Sequence, residues 1–244
     1  MKSKLIGEIS EINRYPVKSF AGEQLNSVIL ESYGLLGDRS HAFVDDSRMG
    51  WERYITARHF PEMLRYRAEL DQLRSTEEIP QVNIIGPDGR THQWDEELFM
   101  NIQAFADRKI SMERYPLRSD ENMAVDEGSI LIITDRSLKR IEQLWGKPID
   151  KRRFRANFLL TLNDDANHIE SDYIGKHMTI GDVELNIQSL CERCSMITID
   201  PDNLEQDSTL LKKVNESMNL NFGIYAEVVS VGKVQVGDYV YVLN

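Results

Sequence analysis

Two cysteines that enclose a glutamate and an arginine form the stretch best suited to chemistry. Cys191 and Cys194 are the only cysteines among 244 residues, and the chain continues through Ser-Met-Ile-Thr-Ile to Asp200-Pro201. The run before Asp200 is alternating and β-branched, and the Asp-Pro pair is typical of a turn. Four roles fit such a pair: a zinc site, a redox pair, a thiolate ligand to a metal group, or packing in the core.

Each of these roles makes its own demand on the surrounding sequence. Zinc needs two further ligands, and His168 and His177 lie upstream at spacings that match no familiar zinc finger. A thioredoxin-like pair needs a helix that begins at the first cysteine, whereas the residues after Cys194 indicate a strand. A single thiolate could instead be a soft metal ligand, with Arg193 favouring the ionised sulfur and binding an anion. Finally, both cysteines could pack as small hydrophobic residues.

The elements that carry these cysteines affect what each thiol can reach. Residues three apart on a regular strand face opposite sides, so one cysteine could face a pocket while the other packs. A predicted hairpin at Gly181-Asp182 leads directly into the pair.

Positive residues stand out from an acidic background at three places. Residues 151–155 hold four cations in five positions, and Lys18-Ser19 and Arg39 fall where predicted strands become loops. Solvated surface charges are the ordinary explanation of such residues. If residues 153–161 form a strand, however, Arg153, Arg155 and Asn157 share one face and form a polar stripe able to bind an anion.

The composition argues against several classes of protein. The chain has 29 Lys and Arg against 40 Asp and Glu, a net charge of −11, which disfavours a general nucleic-acid or anionic-membrane surface. We find no signal peptide and no apolar run near the roughly 20 residues that span a bilayer. We therefore expect a cytoplasmic protein with free thiols. Walker, dinucleotide-binding, metalloprotease and serine-hydrolase motifs are absent from the sequence.

Strands dominate the predicted secondary structure. Alternating runs separated by Gly, Pro and Asp turns recur along the chain, and helices are predicted at 96–105, between Thr134 and Gly146, and at 209–218. We predict a mainly β fold of two β-barrel-like domains with a few short helices. The apolar pattern lapses near residues 115–122, so the domains are placed at 1–118 and 119–244.

Six short motifs, in order along the chain, resemble those of one protein family. They are Tyr15-Pro-Val-Lys18-Ser19, Gly37-Asp38-Arg39, Asp126-Glu-Gly-Ser129, Ser137-Leu138, Arg153-Phe-Arg155-Ala-Asn157, and Cys191-Glu-Arg-Cys194 with Ile199-Asp200-Pro201. The set resembles MOSC-domain proteins that carry an N-terminal MOSC β-barrel domain, such as the mitochondrial amidoxime-reducing component and its bacterial relatives. Two details depart from the family pattern: Ala156 replaces the usual proline, and Asp202-Asn-Leu lacks the Thr-Gly that commonly follows Asp-Pro.

The resemblance implies a molybdenum cofactor, in which the dithiolene of a phosphorylated pterin holds molybdenum. It implies that Cys194 is the protein thiolate on the metal. The residues that it implies for binding the pterin and its phosphate are Lys18, Ser19, Arg39, Ser129, Arg155, Asn157 and Arg193. Asp200 is our candidate proton donor, and we expect no pyridoxal-phosphate site.

Three functions are compatible with this resemblance. The first is an oxidoreductase that removes oxygen from N-hydroxylated small molecules, with Cys194 and Asp200 as catalytic residues. We expect neither the ferredoxin-like domain nor the membrane anchor of some relatives, so electrons would come from a separate ferredoxin, flavodoxin or cytochrome. The second is a carrier of the cofactor, or of sulfur on a cysteine, without turnover. The third is a non-enzymatic β-barrel module that binds a partner.

Overall fold

The structure, a computed structural model, describes residues 3–71, 80–116, 127–164 and 169–243. The strands are β1 (Ser3–Arg14), β2 (Glu23–Leu25), β3 (Ser27–Glu31), β4 (Gly34–Leu35), β5 (His41–Val44), β6 (Arg67–Leu70), β7 (Val82–Ile85), β8 (Thr91–His92), β9 (Ser111–Arg114), β10 (Ile130–Thr134), β11 (Phe158–Leu162), β12 (His177–Ile180), β13 (Val183–Glu192), β14 (Asn221–Ser230), β15 (Gly232–Gln235) and β16 (Tyr239–Leu243). The α-helices are α1 (Glu96–Gln103), α2 (Asp135–Trp145) and α3 (Ser208–Met218). The prediction of a mainly β fold is confirmed.

Seven of these strands close into a barrel. Their order around the ring is β11, β10, β14, β13, β12, β16 and β1, and β1 pairs back onto β11. Only the pairing of β10 with β11 is parallel among the pairings of this ring. Closure gives every strand of the ring a partner on both sides, which removes the exposed edges of an open sheet.

The strand that closes the ring, β1, comes from the start of the chain. It buries Ile6, Ile9 and Ile12 in the barrel core. This spacing of three is possible because the register shifts near Gly7 and between Ile9 and Glu11, as β-bulges produce. A Cβ added to Gly7 would lie 2.1 Å from the carbonyl oxygen of Thr161, so this close approach requires glycine. The barrel is thus built from both ends of the chain.

The chain falls into a first segment, up to residue 116, and a second segment, from residue 127. The rest of the first segment surrounds a second core. β5 pairs with β9, and β6, β7 and β8 form a three-stranded sheet, while single bridges connect β5 to Val17 and β6 to Ala21, both between β1 and β2. The core side chains include Phe20, Phe43, Ile84, Leu98 and Ile102. β3 pairs with β15 and so adds another contact between the two segments. The predicted domain boundary at 118/119 lies outside the described residues and stays a prediction.

The helices begin at residues that cap them. The side chain of Thr134 accepts a hydrogen bond from the Ser137 amide at 3.1 Å, and Gly146 ends α2 with a φ of 75°. Asp95 and Asp207 cap α1 and α3 in the same way. These caps explain why the predicted helices agree closely with the observed ones. In the described parts of the chain, no helix combines the length and apolar character that crossing a membrane demands.

The strand predicted over residues 153–161 is wrong in its first half. Lys151–Phe154 form a 3-10 helix whose start is capped by Asp150, since its carboxylate accepts the Arg152 amide at 2.8 Å. Arg155 then adopts a left-handed conformation with a φ of 54°, and the strand begins only at Phe158. The alternation of charge along 153–157 therefore reflects a turn and not one face of a strand.

A second correction concerns the residues after Cys194. Ser195–Thr198 form a 3-10 helix where the sequence predicts a strand. A strand after Cys194 therefore no longer speaks against a redox pair, although a four-residue 3-10 helix that begins after the second cysteine also differs from the helix that such a pair requires.

Candidate functional site

Seven of the nine residues predicted to act together line one cavity of about 310 Å³. Its walls come from both segments of the chain. The predicted residues that line it are Lys18, Ser19, Arg39, Arg155, Asn157, Arg193 and Cys194. Other lining residues are Trp51, Thr56, Arg58, Glu127, Gly128, Leu131, Phe154, Cys191, Glu192, Met196 and Tyr225.

The two cysteines occupy different environments at this cavity. Cys191 lies near the end of β13 and is 1% exposed, whereas Cys194 is exposed and precedes the 3-10 helix Ser195–Thr198. Cys194 therefore offers an accessible thiol to a ligand in the cavity, while Cys191 packs in a hydrophobic cluster. The two thiols thus differ in exposure, but Cys194 lies beyond the end of β13 and both cysteines line the cavity, so strand alternation is not the cause.

Arg193 lies against the buried cysteine. Its Nη1 donates to the Sγ of Cys191 at 2.9 Å, and its Nη2 donates to the carbonyl oxygen of Phe154 at 2.7 Å. The sequence places Arg193 beside a reactive thiolate, and the structure identifies the contacted sulfur as that of Cys191. The Nε of Arg193 is buried and has no hydrogen-bond partner among the described residues, so one donor remains for a bound group.

A buried polar network joins the first segment to the second. The carboxylate of Asp38 forms an ion pair with Arg39 and accepts hydrogen bonds from the Tyr15 amide at 2.6 Å and from Asn157 Nδ2 at 3.2 Å. The Oδ1 of Asn157 accepts from Arg39 Nη1 at 3.2 Å and from the Leu131 amide at 3.1 Å. The network fixes Arg39 and Asn157 at the cavity wall, although they are 118 residues apart in sequence.

Tyr15 lies between two cavity arginines. The guanidinium carbons of Arg155 and Arg39 are 4.2 and 4.9 Å from the centre of its ring. Burial raises the pKa of the Tyr15 phenol, and the charges of Arg155 and Arg39 oppose this rise. Arg155 Nη1 also donates to the carbonyl oxygen of Phe20 at 2.7 Å. The ring and this carbonyl hold the Arg155 side chain in place.

Two predicted residues do not line the cavity. The hydroxyl of Ser129 donates to the carbonyl oxygen of Ala226 at 3.2 Å, and its neighbours Glu127 and Gly128 line the cavity instead. Asp200 forms an ion pair with Arg153 at 2.7 Å and accepts backbone amides of the following turn.

The environment of Asp200 favours its ionised form. Burial tends to raise the pKa of this carboxyl, but hydrogen bonds from the amides of Asn203 and Asp202 and the charge of Arg153 hold it below its usual value. An ionised carboxylate that already accepts these hydrogen bonds is a poor proton donor. The role of Asp200 as proton donor stays a prediction. Its contacts give it a structural role, because it holds Arg153 and the turn that follows it.

Sequence reasoning missed several lining residues. Thr56 and Arg58 lie in the short β-like run Ile55-Thr-Ala-Arg58, where the one available signal is that Arg58 is a further cation in an acidic chain. Trp51 lies in the 3-10 helix Gly50–Arg53 and is 46% exposed. A large aromatic residue beside Gly50, within a surface turn, was the available signal for this position.

Comparisons with known proteins place both segments in the same family context. The MOSC domain profile matches residues 119–241, and the MOSC N-terminal beta barrel domain profile matches residues 6–127. The chain is 28% identical to mitochondrial amidoxime reducing component 2 of Homo sapiens, over 97% of this chain and 83% of that protein. It is 29% identical to molybdenum cofactor sulfurase of Drosophila ananassae, over 43% of this chain and 14% of that protein.

The fold is also found in a solved structure. The crystal structure of the YuaD protein from Bacillus subtilis aligns with a TM-score of 0.53 and 14% identity, covering 99% of this chain and 97% of the other. At this identity the likeness concerns the fold alone.

Proposed function

The chain belongs to the MOSC-domain family, and from this premise we propose that it binds a molybdenum cofactor and reduces N-hydroxylated small molecules. Relatives along nearly its whole length are named amidoxime reducing components, and relatives over 43% of the chain are named molybdenum cofactor sulfurases. The observation that carries the proposal is a cavity that combines an exposed thiol with cationic side chains in a chain of net charge −11. Electrons would come from a separate protein.

The cavity residues fit a phosphorylated pterin. Five cations line it: Lys18, Arg39, Arg58, Arg155 and Arg193. Guanidinium and ammonium groups bind phosphate through charge-assisted hydrogen bonds. The unpartnered Nε of Arg193 supplies a buried donor for the same group. The cationic side chains of the cavity therefore favour a role in binding an anionic cofactor over a role as solvated surface charges.

The few metal-binding side chains at the site fit a metal that is already held by a non-protein group. Within the described ranges, no group of three or more His, Cys, Asp or Glu side chains could hold a metal ion. A metal at this cavity would thus take most of its ligands from a non-protein group. A dithiolene-bound molybdenum meets this condition, and Cys194 would add one soft thiolate.

The proposed reaction converts R–NHOH, two electrons and two protons into R–NH₂ and water. When bound, the cofactor would supply two-electron redox chemistry and accept the oxygen of the N–OH group. Cys194 would ligate and tune the metal. Lys18, Ser19, Arg39, Arg155, Asn157 and Arg193 would bind and orient the pterin and phosphate. The Asp38 network keeps Arg39 and Asn157 in place for this task.

Metal and pterin analysis tests this proposal. Protein produced in a host that makes the cofactor should contain near-stoichiometric molybdenum and pterin, and it should reduce benzamidoxime with a chemical electron donor. Cys194→Ser should lose most molybdenum and the activity. Cys191→Ala is the matched control and should lose less, because its sulfur is buried against Arg193.

The outcomes distinguish the parts of the proposal. Cofactor-free wild-type preparations would contradict cofactor binding. Loaded protein without N-hydroxy reduction would contradict the enzymatic part only. Equal losses at Cys191 and Cys194 would contradict the assignment of Cys194 as the ligand.

A carrier function is the second candidate, and the exposure of Cys194 favours it. An accessible thiol can hold a sulfur atom as a persulfide and pass it on, and 43% of the chain is similar to molybdenum cofactor sulfurases. Mass spectrometry of protein isolated without reductant would show a persulfide on Cys194 if this function holds. Turnover of N-hydroxylated substrates without any persulfide would favour the reductase.

A further inference from the structure

Lys18 lies at the cavity against two aromatic rings, those of Trp51 and Tyr54, which we call the aromatic box. Its Nζ is 4.1 Å from the centre of the Trp51 ring and 5.2 Å from that of Tyr54. The two rings meet edge to face, with centroids 5.1 Å apart and planes at 77°. Lys18 is only 5% exposed, so its ammonium is shielded from water by rings whose negative faces favour a cation.

The box is held in place by a chain of hydrogen bonds to β9. The hydroxyls of Tyr54 and Tyr115 are 3.2 Å apart, and the Tyr115 hydroxyl donates to Glu113 on that strand. Arg53, beside Tyr54, forms an ion pair with the other carboxylate oxygen of Glu113. Burial raises the pKa of Tyr115 and the hydrogen bond to Glu113 raises it further, so the hydroxyl keeps its proton. These contacts fix the Tyr54 hydroxyl relative to β9.

Trp51 is the exposed member of the box. It is 46% exposed in a surface 3-10 helix, and its neighbour Met49 is 89% exposed. Trp51 belongs to neither of the buried core clusters of the first segment. Its described ring contacts are with Tyr54 and with the Lys18 ammonium. The Trp51 ring is therefore one of the surfaces that cover the Lys18 ammonium.

We propose that Trp51 is a positioning residue that holds the Lys18 ammonium ready to bind an anionic group of a ligand in the cavity. An ammonium that has already exchanged water for aromatic faces loses less hydration when an anion arrives. Its charge also acts more strongly in such a poorly hydrated place. This inference rests on the proposed function, because the anion that it assigns is the phosphate of the pterin cofactor.

Release of the cofactor tests the inference on the full, loaded protein. The measurement is the rate at which pterin, detected by fluorescence after oxidation, leaves the protein on dilution. Trp51→Leu keeps an apolar side chain but removes the aromatic face, and release should become about fivefold to thirtyfold faster. Trp51→Phe should restore most of the retention. Met49→Ala is the matched surface control and should release pterin at the wild-type rate.

Nuclear magnetic resonance tests the geometry without any cofactor. In protein labelled with ¹³C-lysine, the ε-methylene protons of Lys18 should be shifted upfield by the ring current of Trp51. The signal is identified by its loss in Lys18→Arg. It should move toward the values of exposed lysines in Trp51→Leu and keep much of its shift in Trp51→Phe.

The two measurements separate this inference from the proposed function. An unshifted Lys18 signal, or equal retention in Trp51→Leu and Trp51→Phe, would overturn the aromatic positioning whatever the protein catalyses. Faster release in Trp51→Leu from a protein that fails to reduce benzamidoxime would uphold the positioning and contradict only the activity. Wild-type protein without pterin would contradict both the proposed cofactor and the anion assigned to Lys18.

Discussion

Three residues at the cavity hold a backbone conformation that is costly for side chains other than glycine. Ser19, Arg39 and Arg155 have φ values of 68°, 51° and 54°. Each such residue costs about 1–2 kcal/mol relative to a right-handed conformation. Half of the six non-glycine residues with positive φ in the described ranges are thus predicted cofactor residues. Such a concentration of strain is typical of functional sites.

The side chains of these residues explain why the strain is tolerated. Arg39 is held by Asp38 and Asn157, and Arg155 by the Phe20 carbonyl and the Tyr15 ring. These contacts fix the side chains of Arg39 and Arg155, which stabilises their strained backbone and places cationic groups at the cavity wall. A sequence motif can identify such residues, but it cannot show that a buried carboxylate fixes them.

Removal of the buried carboxylate should destabilise the protein strongly. Asp38→Ala leaves the Arg39 guanidinium without its nearest counter-charge, and the free energy of unfolding should fall by about 3–5 kcal/mol. Urea unfolding followed by circular dichroism measures this change. Lys212→Ala, which breaks an exposed pair with Glu216, is the control and should have little effect. A loss at Asp38 as small as at Lys212 would contradict the structural role of the network.

Local sequence signals predicted elements that local forces determine. The helices follow from capping residues such as Thr134 and Asp207, whose side chains satisfy the first amides. The segment 153–161 was misread because its conformation depends on distant partners. Arg153 is held by the carbonyls of Ile197 and Thr198 and by Asp200. These contacts span more than 40 residues and leave no local pattern.

The strand β5 carries a buried histidine that should make stability depend on pH. Burial and then the charge of Arg114 lower the pKa of His41 to about 3. The unfolded chain binds a proton near its ordinary pKa of 6.5, and the folded protein does not. Stability is therefore fully present above about pH 6.5 and is lost as the pH falls toward 3, by at most about 1.4 kcal/mol per pH unit.

A variant that cannot titrate at this position tests the prediction. His41→Phe retains an aromatic ring against Trp94, which His41 meets edge to face at 4.8 Å. Between about pH 7 and pH 5, its free energy of unfolding should fall less steeply than that of the wild type. Parallel curves for the two proteins would show that His41 does not contribute to the acid sensitivity.

At the scale of the whole molecule, the cavity exists because the two segments share one barrel. β1 pairs with β11 and, across almost the full length of the chain, with β16, and the Asp38 network joins the segments beside it. The sequence predicts β strands and a mainly β fold, but it does not predict that β1 pairs with β11 and β16. Strand partners separated by more than 140 residues cannot be read from alternation alone.

A fragment of residues 119–244 should fail to fold by itself. Without β1, both β11 and β16 expose an unpaired edge and the core loses Ile6, Ile9 and Ile12. Circular dichroism and size-exclusion chromatography should show an unfolded or aggregated fragment, and a peptide of residues 3–14 should restore β structure. Cooperative unfolding of the fragment alone, at the temperature of the whole protein, would contradict the closed barrel described above.

X-ray absorption at the molybdenum edge counts the sulfur ligands and so tests whether Cys194 is one of them. We expect loaded wild-type protein and Cys191→Ala to show the same number of sulfur ligands, and any molybdenum retained by Cys194→Ser to show one sulfur fewer. An identical sulfur shell in Cys194→Ser and wild type, or the loss of a sulfur in Cys191→Ala instead, would contradict this expectation.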